Sequence, residues 1–529
     1  MVAFVKGFML FVLLIDLTVY ALFLNRVAWF FVGSLIVGVV LYRARLNRQN
    51  RLSDKILGWS LGPGIELTNP NKPQALSNVV LAEKGLNLGM LVLGGPGAGK
   101  TESTAVGFHQ FLFKAYPDDG FSYFEGKGDI DIYQKHIAAG VKFDYFFSSE
   151  LSGSDTLNLF EGEAEDVIDR LSRLLIGETS STSFYSDAQR AVISSVIPLM
   201  LNLGVPVNLR DLWAALAVDE AGRELMALAR EKQIDDFTYR MADEYFSLPW
   251  NDRIKEVKGL LNRLMIFCIG DKTNRINAYQ PDIHLSKAVT DNKKIYFHLP
   301  LSEYARDLGV AIVETYGVIA RNRQQTGPTK YNYHRLALDD WGAFFHDNFG
   351  PISARCRSAR MPLTFMFQSR GQLQTVSHTF ETELDDTIAT KIILRTMGDR
   401  TGDLAVKLLG EYEELDISTS NLSGRDGTNT HAVKQPRLDK RDLRQLNAGE
   451  AYISTLSETN GVTTNPLYKT RFPLPNMDGW ETVKMPAKKT HEIGEGLHLW
   501  SRHMQADTLQ QVQQMLTDED HQNLAALVQ

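Results

Sequence analysis

Residues 91–104 read LVLGGPGAGKTEST: an apolar run, a cluster of glycines, then Lys100-Thr101 at the head of a stretch of helical composition. Gly94, Gly95, Pro96, Gly97, Ala98, Gly99, Lys100 and Thr101 satisfy the pattern G-x-x-x-x-G-K-[ST] at every position. Each residue type has a physical reason to be there. Glycines let backbone N–H groups turn inward around phosphate oxygens, and the following helix start adds the positive end of its dipole. Lys100 is placed to bridge the β- and γ-phosphates and Thr101 to hold Mg²⁺. GMLVLG before the loop reads as a buried strand and TESTAVGFHQFLFKAY after it as a helix. That context separates the segment from a chance match in an ordinary turn, and it names ATP and Mg²⁺ as the expected cofactors.

A phosphate loop needs a second acidic element. RLALDDW (335–341) is a short apolar strand ending in two carboxylates. Asp339 is expected to reach the Mg²⁺ shell and Asp340 to orient or deprotonate the attacking water, although acids also close ordinary sheet edges. Further strands read at 120–129 (GFSYFEGKGD), 293–300 (KKIYFHLP) and 361–373 (MPLTFMFQSRGQL), with a long helix after the second. Strands alternating with helices predict a parallel, doubly wound sheet that binds ligands at its carboxyl edge. Gln368, at the exit of the last of these strands, either faces the γ-phosphate or is a satisfied surface amide. Arg395 and Arg400 flank a Gly-Asp turn after KIILRT. They read either as arginine fingers toward a neighbouring subunit or as local ion pairs with Asp399 or Asp403. From about 160 to 285 helical periodicity dominates, with Pro and Gly at the breaks, which predicts an all-helical insertion with core-forming Leu and Met stripes.

Two apolar segments open the chain, 4–24 and 27–42, followed by Arg43, Arg45, Arg48 and Arg51. The first is long enough for a bilayer, which takes about 20 apolar residues. The arginines keep the remaining chain in the cytoplasm, so the expectation is a transmembrane hairpin and a two-pass protein of the bacterial inner membrane. A cleaved signal peptide is the alternative, but it leaves the second segment unexplained. Two cysteines fit a reducing compartment rather than a disulfide framework. A net charge of -7 excludes a chain basic all over but leaves room for a local basic lining. Arg355, Arg357, Arg360 and Arg370 form one basic cluster, and Lys434, Arg437, Lys440, Arg441 and Arg444 another. Either can track nucleic-acid phosphates, and the second also reads as a salt-bridged face beside Asp439 and Asp442.

Taken together, these segments resemble the type IV secretion coupling proteins, the TraD/TraG-like ATPases of bacterial conjugation, over most of residues 1–475. FEGKGD is similar to the family's strand-turn segment containing Lys-Gly, and DTLNLF sits where the family has Asn-Pro-Leu. FMFQSRGQL resembles its Gln-containing sensor strand, TKIILRTMGDRTGDLAVKLLGE the strand–helix unit after it, and LDKRDLRQLNAGEAYIS its closing segment. Asp340 stands where Glu is common, and Glu125-Gly126 where Asp-Pro is common. The resemblance implies a RecA-like motor that assembles as a homohexamer and couples ATP hydrolysis to delivery of DNA, with its relaxase, or of protein into a type IV secretion channel. The DNA would be single- or double-stranded and bound without sequence preference. Two other functions fit the residues: an FtsK/HerA-like DNA translocase, and a nucleotide-gated adaptor that docks substrates without turnover. The expected organisation is a transmembrane hairpin (1–45), a nucleotide-binding domain in two parts (46–160 and 288–475), the inserted helical domain (161–287) and a polar C-terminal tail (476–529).

Overall fold

The computed structural model describes residues 58–176, 184–340, 342, 344, 349–374, 380–422, 425–459, 462–489 and 494–504. The chain separates into two compact units, Met1–Gly58 and Trp59–Gln529. All but the last residue of the first unit lies outside the described residues; the architecture described is that of the second.

The strands are β1 (Gly58–Glu66), β2 (Gln74–Ala82), β3 (Met90–Leu93), β4 (Gly120–Glu125), β5 (Tyr145–Ser148), β6 (Lys294–His298), β7 (His334–Asp339), β8 (Leu363–Phe367), β9 (Thr390–Leu394), β10 (Glu411–Leu422), β11 (Arg425–Pro436), β12 (Glu450–Ser454), β13 (Ser457–Thr459), β14 (Val462–Thr464) and β15 (Leu467–Arg471). Eleven of them form one sheet in the order β2-β1-β15-β12-β9-β3-β8-β7-β4-β6-β5. The run from β9 to β5 is parallel throughout. Beyond it β12 pairs antiparallel with β9, β15 with β12 and β1 with β15. β3, β4, β7 and β8 are buried along their whole length, the pattern of strands covered on both faces. Tyr123, Phe124, Tyr296 and Phe297 fill the two faces of its centre with aromatic rings.

Between β5 and β6 the chain leaves the sheet for a helical region. Its helices are Ala164–Ile176, Phe184–Asn202, Leu209–Ala217, Asp219–Glu231, Asp236–Phe246 and Trp250–Met265. Local chemistry sets two of the starts: the Asn208 side chain accepts from Asp211 N and that of Asp235 from Thr238 N, capping donors the helix leaves free. Leu171, Val196, Ile197, Leu212, Trp213, Leu216, Leu260 and Leu261 are fully buried, so the apolar stripes of these helices form a core. Asn158 fastens departure to return. Its amide donates to Val207 O at 2.8 Å and Ala278 O at 3.0 Å while its oxygen accepts from Phe160 N.

The expected apolar segments 4–24 and 27–42 lie outside the described residues. Among the described residues no helix is long and apolar enough to cross a membrane. The 24-residue helix Glu303–Thr326 has the length but carries Arg306, Asp307, Glu314, Arg321 and Arg323. Against the two-pass inner-membrane localisation expected from the sequence, the described residues thus contain no membrane-spanning helix.

The stretch after β15 is a strap rather than a free tail where it is described. Val483 O accepts from Gln134 Nε2 at 2.6 Å, Lys489 pairs with Asp155, and Leu497 N donates to Pro206 O at 2.9 Å. The strap ends on the helical region. Leu499 is fully buried, and the Trp500 ring meets Trp213 at 5.3 Å. The last 25 residues of the expected polar tail, 505–529, lie outside the described residues.

Asp211 anchors that end of the strap, its Oδ1 accepting from Leu499 N at 2.8 Å and Tyr279 OH at 3.0 Å. Its Oδ2 is buried without a hydrogen bond among the described residues, and burial pushes the carboxyl up to about 6 despite the donors at Oδ1. A carboxyl raised on folding favours the native state while protonated and loses that advantage as pH rises through its folded value. Asp211→Asn is therefore expected to melt near the wild type at pH 4 and above it at pH 7, a relative gain on the order of 2 kcal/mol. Parallel thermal melts at the two pH values check this, and an offset independent of pH contradicts it.

Candidate functional site

Strand register brings the loop and the acids together. β8 lies between β3 and β7, with Leu93 opposite Phe367 and Met366 opposite Asp339. One residue past these pairs, at the carboxyl edge, stand Gly94, Gln368 and Asp340. The turn after β3 depends on glycine at two points. Gly97 and Gly99 take φ of 67° and 89°. A Cβ on Gly99 would also land 2.8 Å from Gly449 N. Among the described residues the N–H groups of Gly97 and Gly99 have no partner, leaving two loop donors uncommitted. The helix then opens at Lys100, π-wound through Val106 and α-helical from Gly107 to Ala115.

Lys100 is buried and points at both acids. Its Nζ lies 3.1 Å from Asp339 Oδ1 and 2.5 Å from Asp340 Oδ1. Burial pushes the ammonium down, the largest single effect, but the two carboxylates together outweigh it and hold Lys100 above its ordinary range. Thr101 Oγ1 donates to Asp339 Oδ2 at 3.0 Å. Asp340 sits in the left-handed region with φ 48°, which an aspartate tolerates better than a branched residue. Gln368 Nε2 donates to Asp340 Oδ1 at 2.8 Å, and Gln368 N is held by Gln372 Oε1 at 2.7 Å. The amide of Gln368 is thus turned into the cluster, not to the surface.

The donor set fits a nucleotide-bound Mg²⁺. Asp339 Oδ1 is buried, faces Lys100 only as an ion pair and takes no hydrogen bond among the described residues, so it has capacity for a cation or a cation-bound water. Among the described residues no group of three or more His, Cys, Asp or Glu could hold a metal by itself. Mg²⁺ on one carboxylate, a hydroxyl, phosphates and water needs no such cage.

The arginines divide. Arg395, at the end of β9, donates to Gly97 O at 3.3 Å, and its own carbonyl accepts from Gly95 N at 2.9 Å, so it braces the loop of its own chain. Arg400 is exposed in the first turn of the helix Asp399–Leu409. Asp399 and Asp403, the acids expected to pair with these arginines, pair instead with Arg444 and Lys440. Of the first basic cluster, Arg370 is held by Glu381 through two bonds of 2.8 and 2.9 Å. Arg357 donates to Thr387 O and Arg360 to Tyr331 O, which leaves Arg355 as the exposed member. In the second cluster Arg441 pairs with Asp439 and Arg437 donates to Glu411 O and Asn465 O.

Sequence reasoning missed Tyr123, whose hydroxyl donates to Asp339 Oδ2 at 2.7 Å. No linear pattern marks it, since the contact crosses from β4 to β7. It also missed Glu125, a buried carboxylate that accepts from the N–H groups of Lys127, Gly128 and Asp129 at 2.8, 2.7 and 3.0 Å and is pushed by burial up to about 7.

The sequence matches no protein-family model and no curated protein. Solved structures do match. The bacterial conjugative coupling protein TrwBdeltaN70 in its unbound monoclinic form superposes with a TM-score of 0.53 at 13% identity, covering 80% of this chain and 96% of that one. TrwB in complex with ADP and Mg²⁺ gives 0.53 at 13% identity over 82% and 96% of the two chains. TrwB with the non-hydrolysable GTP analogue GDPNP gives 0.52 at 13% identity over 82% and 97%. The chain therefore has the fold of the bacterial conjugative coupling protein TrwB, in line with the family its sequence motifs resemble.

Proposed function

We propose that this chain is an ATP-driven motor of the conjugative coupling type, which delivers DNA with its relaxase, or protein, to a type IV secretion channel. The observation that carries the reading is the convergence of Lys100, Thr101, Asp339, Asp340 and Gln368 at the carboxyl edge of β3, β8 and β7. It is supported by a fold shared with a coupling protein whose structures hold ADP with Mg²⁺ and a GTP analogue. The loop N–H groups and Lys100 bind the phosphates, and Thr101 and Asp339 hold the cation. Mg²⁺, when bound, supplies positive charge against the phosphate oxygens as negative charge moves toward the leaving group.

The remaining roles fall to the chain's own groups. Lys100 has two claims on it: without nucleotide it is pinned by Asp340 at 2.5 Å. Drawing Lys100 toward a phosphate releases Asp340 Oδ1, which then accepts a proton from the attacking water while the Gln368 amide keeps the carboxylate turned inward. The nucleophile is thus activated only once the loop is filled. Arg400, exposed and without an ion-pair partner among the described residues, is the group free to reach a neighbouring subunit in a homohexamer; Arg395 stabilises the loop in its own chain. Arg355 is the arginine of the first basic cluster left open to DNA phosphates.

Lys100→Ala is expected to abolish hydrolysis, because it removes the charge that meets the developing phosphate negativity. Near-normal turnover by that variant sinks the ATPase reading. Asp339→Asn and Asp340→Asn separate the two acids. The first should weaken Mg²⁺-dependent nucleotide binding, whereas the second should bind Mg²⁺ and ATP normally and turn over at least about 100-fold more slowly. Identical titrations for the two variants contradict the division of roles.

Mixing Arg400→Ala subunits with Lys100→Ala subunits should recover part of the activity if Arg400 acts across the interface, such groups being worth about 10³ or more in rate. No recovery removes Arg400 from that role. DNA should stimulate hydrolysis with little sequence preference, the stimulation falling steeply between low and physiological salt as released counterions lose their advantage. A rate indifferent to DNA at both salt concentrations favours the docking adaptor.

A further inference from the structure

Tyr123 lies on β4, two residues before its carboxyl end, and register places it opposite Ala337 of β7. Its side chain is fully buried and crosses to the end of the neighbouring strand, where the hydroxyl donates to Asp339 Oδ2 at 2.7 Å. The same oxygen accepts from Thr101 at 3.0 Å. Two donors on Oδ2 fix the plane of the carboxylate, and what they leave over is Oδ1, directed at Lys100 and the phosphate loop.

The ring itself has little freedom. His109, from the helix that follows the loop, meets it edge-on at 5.2 Å. His136, from the helix Ile130–Ala138, meets it at 4.9 Å, and Tyr296 of β6 at 5.2 Å. The two histidines lock each other. His136 Nδ1 lies 2.8 Å from Ile132 O, which can only accept, so Nδ1 carries the hydrogen. His136 Nε2 then accepts from His109 Nδ1 at 2.9 Å. Burial pushes both rings below the ordinary histidine range, so the cage around Tyr123 is uncharged. A rigid, neutral cage with one hydrogen-bond acceptor at its rim holds a phenol in one orientation.

We propose that Tyr123 is a positioning residue for the cation: it holds Asp339 so that Oδ1 faces the metal, while Thr101 contributes its hydroxyl oxygen to the metal itself. The proposal rests on the reading of Lys100, Thr101 and Asp339 as a nucleotide–cation site. Groups that orient a metal-binding carboxylate typically change metal affinity by roughly 10- to 100-fold when removed.

The test is Tyr123→Phe in the full chain, which keeps the ring and its cage and removes only the hydroxyl. Mn²⁺ binding in the presence of ADP, followed by electron paramagnetic resonance, should weaken about tenfold or more. ADP binding without metal should stay within about twofold of wild type. The Mg²⁺ concentration for half-maximal hydrolysis should rise by a factor matching the Mn²⁺ result, with the rate at saturating Mg²⁺ largely retained. Tyr296→Phe is the control, because that buried phenol makes no hydrogen bond among the described residues and its loss should leave Mn²⁺ affinity unchanged. Equal Mn²⁺ affinity in wild type and Tyr123→Phe, or equal weakening by Tyr296→Phe, overturns the positioning role alone. Failure of the wild-type chain to bind Mn²⁺ with ADP overturns the nucleotide–cation reading and this proposal with it.

Discussion

A buried ammonium between two carboxylates joins the strands that matter here. Lys100 enters from the loop after β3, Asp339 ends β7 and Asp340 begins the turn beyond it. A cation withdrawn from water needs compensation, and breaking a buried pair by removing one partner costs roughly 3–5 kcal/mol. The loop of a nucleotide-free chain must therefore find an anion, and this chain supplies two. Sheet order is what brings Asp339 to Lys100: β8 must lie between β3 and β7 with its carboxyl end level with theirs. Gln368 joins the cluster for the same geometric reason, being the first residue past that intervening strand.

The surroundings of this cluster are apolar and stiff. β3, β4, β7 and β8 are buried along their whole length, and paired rings from β4 and β6 line the interior beside them. Such an interior demands a partner of most polar groups, the Tyr296 hydroxyl being an exception among the described residues. Tyr123 meets that demand through Asp339, and the His109–His136 pair through each other and Ile132 O. Glu125 is held by three backbone donors one strand away from Asp339. The polar side chains near the loop thus form a set of fixed positions, the rigidity that the proposed cation site calls for.

The helical region is tied to the sheet at more than its two chain crossings. Asn158 closes the base where the chain leaves and returns, and the strap after β15 runs from the helix Ile130–Ala138 to the pair Trp213–Trp500. Lys135 links the strap to the nucleotide end. It pairs with Glu102, in the first turn after Lys100, at 2.6 Å, and its ammonium lies 4.7 Å from the centre of the Trp480 ring.

What the sequence determines by itself is local. Gly97 and Gly99 are legible because the positive φ of the loop admits little else, and β3 and β7 because runs such as MLVL and RLALD suit strands buried on both faces. The helical insertion shows in the 3.6-residue spacing of its Leu and Met, most of which the structure buries. The apolar segments at 4–24 and 27–42 were equally legible as composition, yet composition reports only affinity for apolar surroundings, and the described helices include none that spans a bilayer. Tertiary structure alone decided which strand lies beside which, and from that came the turn of Gln368 toward Asp340, the assignment of Arg395 to its own loop, the pairing of Asp399 and Asp403 with Arg444 and Lys440, and the reach of Tyr123 to Asp339. The physical reason is the same each time. A hydrogen bond or ion pair between residues tens to hundreds of positions apart leaves no periodic trace in either segment, because it is set by how strands and helices come together in the fold and not by the spacing of residues along one of them.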